Sequence, residues 1–218
     1  MEKEFWLQRW QENQIGFHRD DINPALKNFA AELNVAPGDL VFVPLCGKSH
    51  DLDWLEQQGY RVMGVELSTI AVKDFFAEHG KVATVTTRDK FQSYRQGNIE
   101  ILCGDYFDLT ADQFADVRAV FDRAALIAMP PEMRAAYAEK IGDLLPPGAR
   151  ILLVTMEYPD GQMQGPPFSV PEENVRELYG KQFSISVVQE NDILAREPGF
   201  RERGLTSMAE KIYLLQKN

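Results

Sequence analysis

Residues Leu40–Ser68 read LVFVPLCGKSHDLDWLEQQGYRVMGVELS, and this stretch decides the fold. Leu40–Val43 is a short apolar run that breaks at Pro44-Leu45-Cys46-Gly47. A helical pattern follows, with Leu52 and Leu55 on one face and Gly59 at its end. A second apolar run, Tyr60–Val65, stops at Glu66. Strand, tight turn, helix, strand and terminal acid is the order of a mononucleotide-binding βαβ unit. The turn lets backbone N–H groups approach a ligand, and an acid at the second strand tip accepts hydrogen bonds from a ribose diol.

The pattern continues on both sides. Phe5, Trp6 and Trp10 stand near helical spacing in residues 2–12, either packing on the body or covering a ligand as a flap. Asn23 and Pro24 start a helix expected to reach Leu33. Ser68 caps a helix through Glu78. Residues 80–98 are polar and carry no clear period. Strands are expected at Ile99–Cys103, Val117–Phe121 and Arg150–Met156, with a helix over 131–145 between the last two. A Pro/Gly-rich loop at Asp160–Pro167 precedes a helix starting at Pro171. Phe183–Val188 and Lys211–Leu215 close the chain around the polar stretch Glu190–Gly204.

Alternating strands and helices predict an α/β, doubly wound, mostly parallel sheet with helices on both faces. The last two strands lack a full helix between them, which predicts a terminal antiparallel hairpin and seven strands in all. That is the Rossmann-like pattern of class I methyltransferases. A single domain over 1–218 is expected, with residues 1–35 as an N-terminal helical flap over the ligand site.

The composition narrows the partners. The chain has 218 residues, 44% hydrophobic, enough for one full core. A net charge of -10 argues against nucleic acid and against anionic membranes. No apolar run approaches ~20 residues, and no signal peptide is read at the N-terminus. Two cysteines, Cys46 and Cys103, each end an apolar run and read as buried thiols of a reducing, cytoplasmic setting. His50 and His79 have no metal-ligand spacing with them, so no metal is expected.

In a doubly wound sheet, ligands bind beyond the carboxyl ends of the strands. The tips here are Pro44–Gly47, Glu66, Asp105-Tyr106 and Asp122-Arg123. Glu66 is either a helix-capping acid or a ligand contact. Asp105 and Tyr106 form either a turn or an adenine contact. Arg123 is either the ion-pair partner of Asp122 or a ligand group. Only Gly47 stands where a dinucleotide fingerprint needs several glycines, and Pro44 lacks an N–H. The turn is therefore poorly built for pyrophosphate and better suited to a phosphate-free nucleoside such as S-adenosylmethionine.

VPLCGKSHDLDWL, GVELS, FDRAALIAMP, GPPFSVPEENVRELYG and the terminal AEKIYLLQK together resemble the thiopurine S-methyltransferase family in its bacterial form, over nearly the whole chain. The resemblance implies S-adenosyl-L-methionine as cofactor and S-adenosyl-L-homocysteine as product, without a metal. It implies cofactor contacts at Trp10, Leu45, Glu66 and Arg123, and less directly at Asp105 and Tyr106. It places Phe17 in the acceptor pocket and Arg123 and Arg196 on the acceptor, with Arg201 and Arg203 as alternatives because of an insertion in Glu190–Gly204. His18 is a candidate proton relay or a surface-loop histidine, and Phe168 is expected to border the acceptor pocket. The implied acceptors are small thiols or selenols, and bacterial members are associated with selenium and tellurium methylation and tellurite resistance. A monomer is expected. A nicotinamide-dependent oxidoreductase and a non-catalytic S-adenosylmethionine binder are the competing readings.

Overall fold

The computed structural model describes residues 3–218; Met1 and Glu2 of the expected flap lie outside the described residues. Nine strands are described: β1 (Leu40–Val43), β2 (Arg61–Glu66), β3 (Thr84–Arg88), β4 (Phe91–Gln96), β5 (Ile99–Cys103), β6 (Val117–Arg123), β7 (Arg150–Glu157), β8 (Phe183–Asp192) and β9 (Ala209–Lys217). They form one sheet in the order β3-β4-β5-β2-β1-β6-β7-β9-β8. The five central strands, β5-β2-β1-β6-β7, are parallel. β9 runs antiparallel between β7 and β8, as the absence of a crossover helix predicts.

The fold class stands, but the sheet has nine strands rather than seven. The extra pair is β3–β4, from the polar stretch that showed no period. β3 is almost wholly exposed, so no buried alternation marks it. Its turn residue Asp89 takes a positive φ of 53°, and Gly97, in the following turn to β5, takes 58°.

Strand alternation builds a core on each face of the sheet. Val41 and Val43 meet Leu26 of α2 (Pro24–Phe29), Leu52 and Leu55 of α3 (His50–Gln57) and Phe75 of α4 (Thr69–Glu78). Phe42, Met63 and Val65 face the other way, toward Tyr137 and Ile141 of α6 (Pro131–Leu144) and Val175 and Tyr179 of α7 (Glu172–Tyr179). The caps behave as their side chains dictate. Asn23, Ser49 and Ser68 each accept from a backbone N–H in the first turn of the helix they begin. α1 (Lys3–Gln11) covers the expected first helix; α5 (Ala111–Phe114) and α8 (Pro198–Glu202) are short pieces in the connections. The expected second helix tightens into a 3₁₀ turn at Ala30–Leu33. Among the described residues no helix is long and apolar enough to cross a membrane.

Gly64 sets how closely the β1 turn approaches β2. A Cβ built there would lie 2.7 Å from Cys46 Sγ and 3.2 Å from Leu52 Cδ2. Gly64→Ala is expected to cost about 1–3 kcal/mol by overpacking. Cys46→Ala should restore part of that loss, because it removes the atom in conflict. Urea unfolding of the two single variants and the double variant checks this; strictly additive losses would contradict it.

Candidate active site

The site lies at the carboxyl ends of the parallel strands and is built around Glu66. Glu66 ends β2 and is buried, 6% exposed. Its Oε2 accepts from the Gly47 N–H at 2.9 Å and its Oε1 from the Ser68 N–H at 2.7 Å. One carboxylate therefore holds the β1 turn to the start of α4. Burial pushes the Glu66 pKa up, and the backbone donors oppose that shift. Each oxygen keeps a further lone pair for a diol.

The turn is held in an unusual backbone conformation. Leu45 takes φ 45° and Gly47 φ 52°. For Leu45 the left-handed region costs roughly 1–2 kcal/mol. A second such residue, Ala124 with φ 65°, follows β6 directly. Strained backbone thus stands at both neighbouring tips, a frequent feature of ligand clamps. Trp10 of α1 is buried and lies over the turn: a Cβ at Gly47 would meet Trp10 Cζ2 at 3.2 Å. Phe17 packs edge-on against both Trp6 and Trp10, at 5.5 and 5.6 Å between ring centres. The N-terminal aromatics therefore sit against the β1 turn.

Asp105 lies two residues beyond β5 and does two jobs. Its Oδ1 accepts from Phe107 N–H at 2.9 Å, and its Oδ2 pairs with Lys3 at 2.5 Å. Tyr106 points away from this edge: its ring stacks on Tyr137 at 4.7 Å and its hydroxyl donates to the Tyr137 carbonyl at 3.0 Å. Its side chain belongs to the core, which leaves its backbone as the part near the strand tip.

β6 separates Asp122 from Arg123 by alternation. Asp122 turns inward, where its Oδ2 accepts from Tyr137 Oη at 2.7 Å and its Oδ1 from Leu126 N–H at 3.3 Å. Burial raises its pKa to about 6. The Asp122–Arg123 ion pair is absent. Arg123 instead is partly buried and makes no hydrogen bond or ion pair within the described residues. Burial lowers its pKa, Asp51, Glu210 and Glu197 act the other way, and Arg19 adds to the lowering. It keeps its charge regardless.

The charges around Arg123 were mostly missed in the sequence. Arg19 pairs with Glu197 at 2.5 Å, which ties the N-terminal loop to the segment after β8. Asp51 is buried and accepts from Asn23 N–H at 2.8 Å. Glu210, on β9, is pushed up by burial, with Arg123, Arg19 and Arg196 among the charges that offset this. Arg196 is exposed in the turn Leu194–Arg196 and acts on Glu210 from there. Arg203 sits elsewhere, over the Phe200 ring and against Met163 Sδ. No local motif marks this cluster; its members come from four distant segments.

Phe168 follows the loop Gly165-Pro166-Pro167 and folds its ring back on Gly165. Its N–H donates to the Ile127 carbonyl at 2.7 Å, just beyond Arg123 and Ala124. His18 is half-buried, with its pKa lowered by burial and by Lys48. It lies 5.8 Å from His50 between ring centres. Cys46 is buried and its thiol is pushed well up by that burial, which suits a structural role.

The comparisons agree with this geometry. A family model described as thiopurine S-methyltransferase matches residues 1–218. A thiopurine S-methyltransferase of Nitrosospira multiformis is 48% identical, covering 99% of this chain and 98% of its own length. One from Pseudomonas paraeruginosa is 47% identical over the full length of both. The chain belongs to the thiopurine S-methyltransferase family. It is an S-adenosylmethionine-dependent methyltransferase, which sets aside the oxidoreductase reading. Solved structures support the fold. A Burkholderia thailandensis 1,6-didemethyltoxoflavin-N1-methyltransferase with bound S-adenosylhomocysteine has TM-score 0.65 and 16% identity, covering 99% of this chain and 87% of that one. An Anabaena variabilis S-adenosylmethionine-dependent methyltransferase has TM-score 0.67 and 16% identity, covering 99% and 95%.

The buried acid at β6 gives a pH prediction. Because the folded Asp122 pKa lies above its unfolded value, its contribution to stability is greatest below the unfolded pKa and is lost as pH rises through about 6. Tyr137→Phe removes a donor to the ionised form and should raise that pKa further. The variant is expected to lose about 1–3 kcal/mol at pH 8 and distinctly less at pH 5. Denaturant unfolding at the two pH values checks the sign; an equal loss at both would contradict it.

Proposed function

We propose that the protein moves the methyl group of S-adenosyl-L-methionine onto the sulfur of a small aromatic or heterocyclic thiol, with thiopurines as the model class. Selenium and tellurium compounds would be accepted by the same chemistry, and tellurite resistance is the setting we propose for it. We read the protein as a cytoplasmic monomer with small-molecule partners.

Glu66 is proposed to hold the ribose, Trp10 and Leu45 the cofactor's amino-acid side, and the Asp105-Tyr106 backbone the adenine side. The cofactor supplies a methyl group activated on a sulfonium. Arg123 attracts the acceptor as a thiolate and holds it in line with that carbon. Transfer would form a bond from the acceptor sulfur to the methyl carbon and break the sulfonium carbon–sulfur bond, whose electron pair would go to the sulfur of S-adenosylhomocysteine, leaving two neutral thioethers. The acceptor's proton is lost before transfer, to water or through His18. Two opposite charges vanish in the step, so apolar walls such as Trp10 and Phe17 suit it, and positioning supplies much of the rate. Residues 1–35 act in this reading as a flap of one domain, stapled by the Lys3–Asp105 and Arg19–Glu197 pairs.

The observation that carries the proposal is Arg123: a partly buried guanidinium at a strand tip with no hydrogen-bond or ion-pair partner among the described residues. Such a cation is costly unless an anion completes it. With labelled S-adenosylmethionine and 6-mercaptopurine, the wild type should give S-methylated product. Arg123→Ala is expected to lower kcat/KM by roughly 100-fold. Arg196→Ala should raise KM for the acceptor more than Arg203→Ala does. Phe168→Ala should raise the same KM. No methylated thiol above the blank would overturn the proposal.

A further inference from the structure

All three histidines of the chain meet at one place, although they come from three segments. His18 sits in the N-terminal loop, His50 at the first turn of α3 and His79 at the end of α4. The ring centres of His50 and His79 are 4.8 Å apart, and His50 Nδ1 lies 3.0 Å from His79 Nε2. His79 Nδ1 lies 2.7 Å from the Phe75 carbonyl oxygen.

For neutral rings these contacts imply one pair of tautomers. A carbonyl oxygen only accepts, so His79 Nδ1 carries its proton and Nε2 of the neutral ring is an acceptor. His50 Nδ1 must then donate to it. That leaves Nε2 as the lone pair of His50, held by an outer histidine that is itself anchored to the backbone. A ligand imidazole whose other nitrogen donates to a fixed acceptor is the usual arrangement at protein metal sites.

His18 and Asp20 complete the group. One ligand atom each from His18, Asp20 and His50 lie within 4.8 Å of one another. His18 Nε2 is 3.7 Å from Asp20 Oδ1. Two ligands on a tetrahedral zinc ion stand about 3.3–3.5 Å apart, given bonds of roughly 2.0–2.1 Å. Closing the gap needs a movement on the order of 1 Å, and Asp20 is 99% exposed and free to swing. Lys48 is the cation facing His18, and it is held by Glu78 at 2.6 Å.

We propose that His18, Asp20 and His50 form a binding site for a divalent transition metal ion of the zinc class, with His79 orienting His50 from behind. Two imidazoles and one carboxylate favour Zn²⁺, Ni²⁺ or Cu²⁺ over Mg²⁺ or Ca²⁺. The expectation of no metal rested on histidine spacing to the cysteines; this site uses neither cysteine. Its consequence is mechanical. His18 follows Phe17 on the loop that packs on the aromatic flap, while His50 belongs to the body. A bound ion would clamp the N-terminal loop to α3. The site does not depend on methyl transfer, and a His18 bound to the ion would leave water to take the acceptor's proton.

Titration calorimetry of the untagged full chain with ZnCl₂ tests it, backed by Co²⁺ absorption spectra. One ion per chain is expected, with a cobalt spectrum lacking a thiolate charge-transfer band. His18→Gln and His50→Gln should each weaken binding at least tenfold, and His79→Gln about tenfold with the stoichiometry unchanged. The Cys46→Ser/Cys103→Ser double variant should bind as the wild type does. Zn²⁺ should slow amide exchange across residues 13–21 in the wild type and not in His50→Gln. Circular dichroism without metal establishes that each variant is folded. Binding that survives the His18→Gln/His50→Gln double variant, binding lost with the cysteines, or no binding by the wild type would each overturn the proposal.

Discussion

A single buried carboxylate holds this active edge in shape. Glu66 takes one backbone N–H from the β1 turn and one from the start of α4, and so fixes the distance between two strand tips. The turn needs that support because Leu45 and Gly47 both adopt left-handed backbone. Gly64, two residues earlier on β2, allows Cys46 to sit against the strand. Local strain, close packing and an accepting carboxylate are thus one arrangement, and it leaves the Glu66 oxygens at the carboxyl edge of the parallel strands.

The N-terminal segment is coupled to this edge at three points of different chemistry. Lys3 pairs with Asp105 at the β5 tip, Trp10 lies on Gly47, and Arg19 pairs with Glu197 beyond β8. The two ion pairs involve partly exposed side chains and contribute little stability alone. Their value is in orientation. They flank the segment in which Trp10 lies on the β1 turn and Phe17 packs on Trp6 and Trp10. The same loop brings the His18 ring within 5.8 Å of His50 on α3.

Much of this was legible in the sequence. Glu66 and Arg123 stand where apolar runs end, and the strand period alone brings them to one edge. The helix caps at Asn23 and Ser68 could be read from residue type. What escaped has physical reasons. The β3–β4 hairpin lies almost entirely in solvent on its outer strand, so burial imposed no alternation there; Asp89-Lys90 and Gly97-Asn98 were its only marks. Tyr106 stands at a strand tip in the sequence, but an aromatic with a phenol also fits a core slot beside Tyr137. The charges that surround Arg123 and the three meeting histidines come from segments far apart in the chain. Only the three-dimensional placement of the loop at 13–19, with His18 near His50 of α3 and Arg19 paired with Glu197, brings them together.

The central claim is that Glu66 reads the sugar of the cofactor. The most direct test is calorimetry of S-adenosylhomocysteine and its 3′-deoxy analogue against the wild type and Glu66→Ala. The account predicts that the wild type binds the deoxy compound at least ~10-fold more weakly, as the loss of a hydrogen bond to a charged group implies. It predicts that Glu66→Ala binds both compounds with the same reduced affinity. An equal penalty for the missing hydroxyl in both proteins would contradict it.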